Sequence, residues 1–208
     1  MEKPTGRKNI SCVILAAGAS TRMGTQKLLL PFGDNTILGT TLAKIKSCGI
    51  GDIRIVLGAN AAEIKQKVDL KGLTIIYNSD YLQGQSTSVK LAVKDISGDS
   101  GVMFALGDQP LVKKETFLAL LKAYRKSDAL AVFPVTKDGR RGNPVIFSPQ
   151  TFADISLLQG DTGPRKLLEA YGNKAISIVV EDEHIHSDID TPEEYKKYQR
   201  DEKDESFN

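Results

Sequence analysis

Apolar and polar positions along the chain fall into two alternating patterns. Residues 10–17 (ISCVILAA) form an unbroken apolar run, as expected of a strand covered on both faces. Ile37, Leu38, Leu42 and Ile45 then recur at helical spacing. Apolar runs at 53–57, 73–77, 102–106, 130–135 and 175–180 predict further strands, with a shorter one at 144–147. Helices are predicted at 61–68, 85–96, 164–170 and 191–199. Phe117, Leu120, Leu121 and Tyr124 mark another, whose apolar stripe reads as core packing. At the last helix Thr191, Pro192 and Glu194 stand at the N-cap, N1 and N3 positions of a capping box.

Strand–helix alternation of this kind predicts an α/β fold: right-handed βαβ units, a mostly parallel sheet and helices on both faces, a three-layer sandwich. Ligands on such sheets sit outside the carboxyl ends of the strands, so functional residues should follow the strands closely. The 208 residues suit one domain over 10–199, with polar, charged ends at 1–9 and 200–208 that are expected to be flexible. A net charge of +2 supplies no global field for nucleic acid or an acidic membrane surface, so any anion site must be local. No apolar stretch approaches a membrane span, and the N-terminus lacks a signal-peptide core; the expectation is a cytoplasmic protein. Cys12 and Cys48 lack metal or redox spacing and read as reduced.

Candidate chemistry begins where the first strand ends. The segment LAAGASTRMGTQKLLL places small residues, Ala16, Ala17, Gly18, Ala19 and Ser20, where backbone can approach a ligand, followed by Arg22 and Lys27. Exposed amides beside two cations suit a triphosphate; an ordinary glycine-containing turn with two surface cations fits the same composition. The segment is neither a Walker A loop nor a Gly-x-Gly-x-x-Gly fingerprint.

Leu15, Ala16, Ala17, Gly18, Ser20, Arg22, Met23, Gly24 and Lys27 match the signature of the MobA-like NTP transferases, roughly LAAGxSxRMGxxK. The resemblance implies a Rossmann-like, nucleotide-diphospho-sugar transferase (GT-A-like) architecture, with this loop around the triphosphate and Arg22 and Lys27 on phosphates. It continues along the chain. Asn78, Gly84 and Ser88 resemble the family's Asn-x5-Gly-x3-Ser loop, which implies nucleotide contacts; capping of the following helix is the structural alternative. Asp108, in Gly-Asp-Gln-Pro, resembles the family's metal-binding aspartate, and Asp190, in Asp-Ile-Asp-Thr-Pro-Glu-Glu, a second ligand. Asp188 stands as an orienting neighbour. Arg141, Gly142, Pro144 and Val145 resemble an Arg-Gly-His-Pro-Val segment in which this chain has Asn143 for histidine. Asp161 and Arg165 lie in a Gly-Asp-x-Gly-x-Arg segment; with Arg141 and Asn143 they are expected on the acceptor side. His184, His186, Asp188 and Asp190 would share a face if extended, but no catalytic zinc pattern accompanies them.

No protein nucleophile is evident in these loops, which points to direct attack of an acceptor on the α-phosphorus of an NTP. Ala17, where related guanylyltransferases tend to carry a second glycine, resembles the cytidylyltransferase branch. The resemblance thus implies Mg²⁺, CTP and a molybdopterin cofactor as acceptor, with a molybdenum hydroxylase as client. GTP, a sugar- or polyol-phosphate acceptor, and a non-catalytic delivery protein are the alternatives.

Overall fold

The computed structural model describes residues 8–20 and 23–205. In chain order the strands are β1 (Ile10–Ala16), β2 (Pro31–Phe32), β3 (Asn35–Thr36), β4 (Asp52–Leu57), β5 (Thr74–Tyr77), β6 (Gly101–Leu106), β7 (Ala131–Val135), β8 (Val145–Phe147) and β9 (Ala175–Val179). The α-helices are α1 (Ile37–Ser47), α2 (Ala61–Lys67), α3 (Gln85–Lys94), α4 (Lys114–Arg125), α5 (Phe152–Ser156), α6 (Leu167–Tyr171) and α7 (Pro192–Glu205). Seven strands form one sheet in the order β5-β4-β1-β6-β8-β7-β9, and β2 pairs with β3 in a separate hairpin. Within the large sheet all pairings are parallel except those of β8, which runs antiparallel to both β6 and β7.

The period-2 geometry of strands explains why the apolar runs are continuous. Ile10, Cys12, Ile14 and Ala16 of β1 enter one core, whereas Val13 and the following Ala17 enter the other. Met103 and Ala105 of β6 join the first core, Val102 and Phe104 the second. Helices α1, α2 and α4 cover the first face; α3, α5 and α6 cover the second, so the chain is the expected three-layer α/β sandwich. The α4 stripe of Phe117, Leu120, Leu121 and Tyr124 is fully buried, each side chain worth roughly 1.5–3 kcal/mol relative to exposure. Cys12 lies in the first core and Cys48 is half-buried; both are free thiols, and burial pushes both thiol pKa values up.

The β2–β3 hairpin and α5 have no counterpart in the sequence expectation, and two further stretches differ from it. The run 200–205, expected as a flexible tail, continues α7 as far as Glu205. Residues 183–186 form a 3-10 turn rather than an extended strand, so the alternating His and Asp residues do not share one face. Among the described residues no helix is long and apolar enough to cross a membrane.

Candidate active site

The strand order sets the location of the site. From β1 the chain moves outward to β4 and β5, then returns across β1 to β6. The loops leaving β1 and β6 therefore diverge, opening a crevice at the carboxyl ends of these neighbouring strands. Strand β8 adds a consequence of its reversed direction: its beginning, next to Asn143, lies at the same end of the sheet as the end of β6, with Val145 opposite Phe104. The β1 end is tightly braced. Gly107 N–H donates to Leu15 O (3.0 Å), and Ala59 N–H donates to Ala17 O (3.2 Å). Gly58 permits that second approach, since a Cβ there would lie 2.6 Å from Ala17 O.

One arm of the crevice, a cleft of about 210 Å³, is lined by Ala16, Gly18, Ser20, Lys27, Asp108 and Asp190, among others. Lys27 begins a short 3-10 turn whose cap, Gln26, accepts hydrogen bonds from Leu28 N–H and Ser20 Oγ. Its ammonium bridges two carboxylates from distant parts of the chain, 2.5 Å from Asp108 Oδ2 and 2.6 Å from Asp190 Oδ1. Burial alone would lower the Lys27 pKa; the charge of Asp108 and hydrogen bonds to both carboxylates outweigh it and raise the value.

The segment carrying Asp190 is fastened from both sides. Ile189 N–H donates to Asp108 O (3.1 Å). Gln109, buried behind the site, donates from Nε2 to Asp188 Oδ1 (2.5 Å). On the other side the capping box forms as expected: Glu194 Oε2 accepts from Asp190 N–H and Thr191 N–H, both at 2.9 Å, and Glu194 N–H donates to Thr191 Oγ1 (3.2 Å). Asp188 is pushed up to about 6, first by burial and then by the charge of Asp108.

A second arm of about 420 Å³ continues from Leu15 and Asp108 toward Ala17, Gly84, Ser88 and Arg165. Here the 160–165 loop is seated on the start of α3. Ser86 N–H donates to Gly160 O (3.2 Å), and Asp161 Oδ1 accepts from Gln85 N–H (3.3 Å), capping α3 from another segment. Gly84 makes this seating possible: its φ is +105°, and a Cβ would lie 2.3 Å from the Gly160 carbonyl carbon. A small recess beyond it is lined by Gln85, Asn143, Val145 and Arg165.

A family profile described as the MobA-like NTP transferase domain matches residues 12–175. The chain belongs to this family. It is 31% identical over 188 residues to a molybdenum cofactor cytidylyltransferase of Escherichia coli, covering 89% of this chain and 93% of that protein. It is 29% identical to a protein of Paenarthrobacter nicotinovorans named nicotine blue oxidoreductase, covering 89% and 94%. A Mycobacterium tuberculosis protein solved in complex with manganese superposes with a TM-score of 0.80 at 28% identity, over 92% of this chain and 98% of that one. The 4-diphosphocytidyl-2C-methyl-D-erythritol synthase of Anaerococcus prevotii, at 22% identity, shares the fold with a TM-score of 0.73, over 93% and 95%. The chain is thus a nucleotidyltransferase by family, on an α/β fold that it shares with those solved structures.

Within this MobA-like frame the crevice gathers Leu15, Ala16, Ala17, Gly18, Lys27, Gly84, Ser88, Asp108, Asn143, Asp161, Arg165 and Asp190. It does not gather all the residues singled out from the sequence. Asn78 is 2% exposed and lines neither arm. Its Nδ2 donates to Thr87 Oγ1 and Ser88 Oγ, and its Oδ1 accepts from Asp80 N–H, so it holds the loop that presents Ser88. Arg141 is exposed outside both arms, over the Phe133 ring at 5.5 Å and 3.9 Å from Glu169. Arg22 lies outside the described residues. Conversely, Tyr81, Gln85, Leu106 and Asp188 line the second arm without having been singled out as ligand contacts. Leu106 carries a sequence signal, being the last residue of a strand that ends in the site.

The donor set suits a hard divalent cation. Among the described residues no group of three or more His, Cys, Asp or Glu side chains is placed to hold a metal. Two carboxylates that already converge on one positive charge are, however, what magnesium or manganese takes from a protein when phosphates and water complete the shell.

Proposed function

We propose that this chain transfers CMP from CTP to the phosphate of a molybdenum–molybdopterin cofactor, releasing pyrophosphate and forming molybdopterin cytosine dinucleotide. The observation that carries this reading is the single crevice in which the β1 loop, Lys27, Asp108 and Asp190 adjoin Gly84, Ser88 and Arg165. The likeness to the Escherichia coli cytidylyltransferase supplies the substrate class. Its product would serve a molybdenum hydroxylase.

An oxygen of the acceptor phosphate attacks the α-phosphorus of CTP. The new P–O bond forms as the bond from the α-phosphorus to the bridging oxygen breaks, and that electron pair leaves with pyrophosphate. A phosphomonoester is already ionised near neutrality, so no strong general base is needed. The chain's contribution is positioning and charge neutralisation. The loop from Leu15 to Gly18 wraps the triphosphate; Lys27, with Arg22 by resemblance, stabilises charge gathering on the leaving group. Asp108 and Asp190 would hold Mg²⁺, which supplies charge neutralisation across the phosphates. Asn78 acts through Ser88 on the nucleotide side. Asn143, Asp161 and Arg165 border the acceptor, with Arg141 at its rim.

Pyrophosphate release from CTP and GTP, with Mg²⁺ and loaded molybdopterin cofactor, tests the reading. Release with CTP alone, matched by cytosine dinucleotide formation, is expected. Release with GTP alone would overturn the base assignment, and turnover only with sugar or polyol phosphates the acceptor. Cofactor binding without turnover on any nucleotide would make the chain a delivery protein.

A further inference from the structure

We infer that Lys27 competes with the divalent cation for Asp108 and Asp190, so that the metal and the nucleoside triphosphate bind this chain cooperatively and the metal binds weakly by itself. The inference rests on the metal-site reading above and adds a coupling between its two ligands.

The Lys27 ammonium stands 2.5 Å from Asp108 Oδ2 and 2.6 Å from Asp190 Oδ1. A magnesium ion takes carboxylate oxygens at about 2.0–2.1 Å. Were the dication and the ammonium to share these two oxygens, positive centres would be crowded within a few ångströms inside a half-buried cleft, where screening is weak. Each charge therefore weakens the other's hold on the carboxylate pair. The Lys27 side chain is only 12% exposed, so an ammonium driven off the carboxylates without a new anion would be left unpaired in a partly dehydrated space. The cation alone must therefore displace a buried ion pair before it gains its own ligands.

A triphosphate changes the balance. The cleft that holds the Lys27 ammonium is walled by Ala16, Gly18 and Ser20 of the β1 loop. A phosphate on that loop offers the ammonium a second anionic partner and lifts its hold on both carboxylates, in favour of the metal. Nucleotide thus tightens metal binding, and by linkage the metal tightens nucleotide binding by the same factor. Lys27 then has two partners in turn: the carboxylates before loading, the phosphates after it.

Removing Lys27, a cation that binds the nucleotide, should improve binding of the metal. Mn²⁺ is titrated into the full chain, with free Mn²⁺ read from its electron paramagnetic resonance signal and no turnover required. Wild type, Lys27→Met, Lys27→Gln and Asp108→Asn are compared, with and without a non-hydrolysable α,β-methylene CTP, after circular dichroism has confirmed folding. Without nucleotide, both Lys27 variants should bind Mn²⁺ roughly tenfold tighter than wild type or better. The analogue should tighten Mn²⁺ binding strongly in wild type and far less in the Lys27 variants. Equal or weaker Mn²⁺ binding in both Lys27 variants would overturn the competition. Asp108→Asn separates the two levels of the argument: Mn²⁺ binding unchanged by that substitution would overturn the metal-site reading itself.

Discussion

At the scale of single residues, the site is a small electrostatic cluster assembled from three stretches far apart in sequence. Lys27 and Asp108 are 81 residues apart, Lys27 and Asp190 163 apart, and the ammonium binds both carboxylates. Asp108 stands just after β6 and its side chain is not part of either core, so Asp108→Ala should abolish pyrophosphate release. Asp190 still pairs with Lys27 in that variant, so the fold should remain intact at a cost of roughly 1–3 kcal/mol. Near-normal turnover in that variant would remove Asp108 from the catalytic machinery. Asp108, Lys27 and the β1 loop were legible in the sequence because their chemistry is carried by neighbours along the chain. Asn78, singled out from the sequence for nucleotide contacts, lies behind the crevice and lines neither arm. Its burial and its bonds to Thr87 and Ser88 make it a brace for the residue that lines the cleft.

At the scale of elements, two junctions decide the shape of the crevice. The first is the seating of the 160–165 loop on α3, where Gly84 leaves no room for a side chain against the Gly160 backbone. Gly84→Ala adds both a clash and a left-handed φ penalty, and should cost roughly 2–4 kcal/mol by urea unfolding. A loss below about 0.5 kcal/mol would show that the loop can withdraw from the helix. The second is the capping box at the start of α7, which holds the backbone of Asp190. Its pattern, Thr191 followed by Glu194, is local and could be read directly. Asp161 shows the opposite case. It caps α3 from a segment 76 residues downstream of Gln85, and no local pattern announces such a partner.

At the scale of the whole molecule, the fold brings six separate segments to one crevice, and a ligand that spans them should stabilise the fold globally. At one hundred times its dissociation constant, Mg-CTP would add about 2.7 kcal/mol. For a chain of this size that corresponds to a rise in melting temperature of roughly 5–10 °C. Differential scanning fluorimetry should show it with Mg-CTP and a much smaller shift with Mg-GTP. An equal shift with both nucleotides would place base selection outside ground-state binding. The reversed β8 matters most at this scale. Its apolar residues predicted a strand, while its direction, which carries Asn143 to the carboxyl end of β6, came from pairing with both β6 and β7.

By itself, the sequence determined what depends on neighbours along the chain: the order of the main strands and helices, though not the β2–β3 hairpin or α5, the small-residue loop after β1, the Asp at the end of β6 and the capping box before α7. Periodicity, backbone freedom and capping act over a few residues, so they are written locally. The tertiary structure decided what depends on which elements become neighbours in space. It set the antiparallel course of β8, the burial of Asn78, the exposure of Arg141 outside the crevice, and the capture of Asp108 and Asp190 by one lysine. Those outcomes follow from packing and charge between segments brought together by the fold, as few as 10 residues apart for Asn78 and Ser88 and as many as 163 for Lys27 and Asp190, and the longest-range of these contacts form only once the sheet has fixed which strands lie side by side.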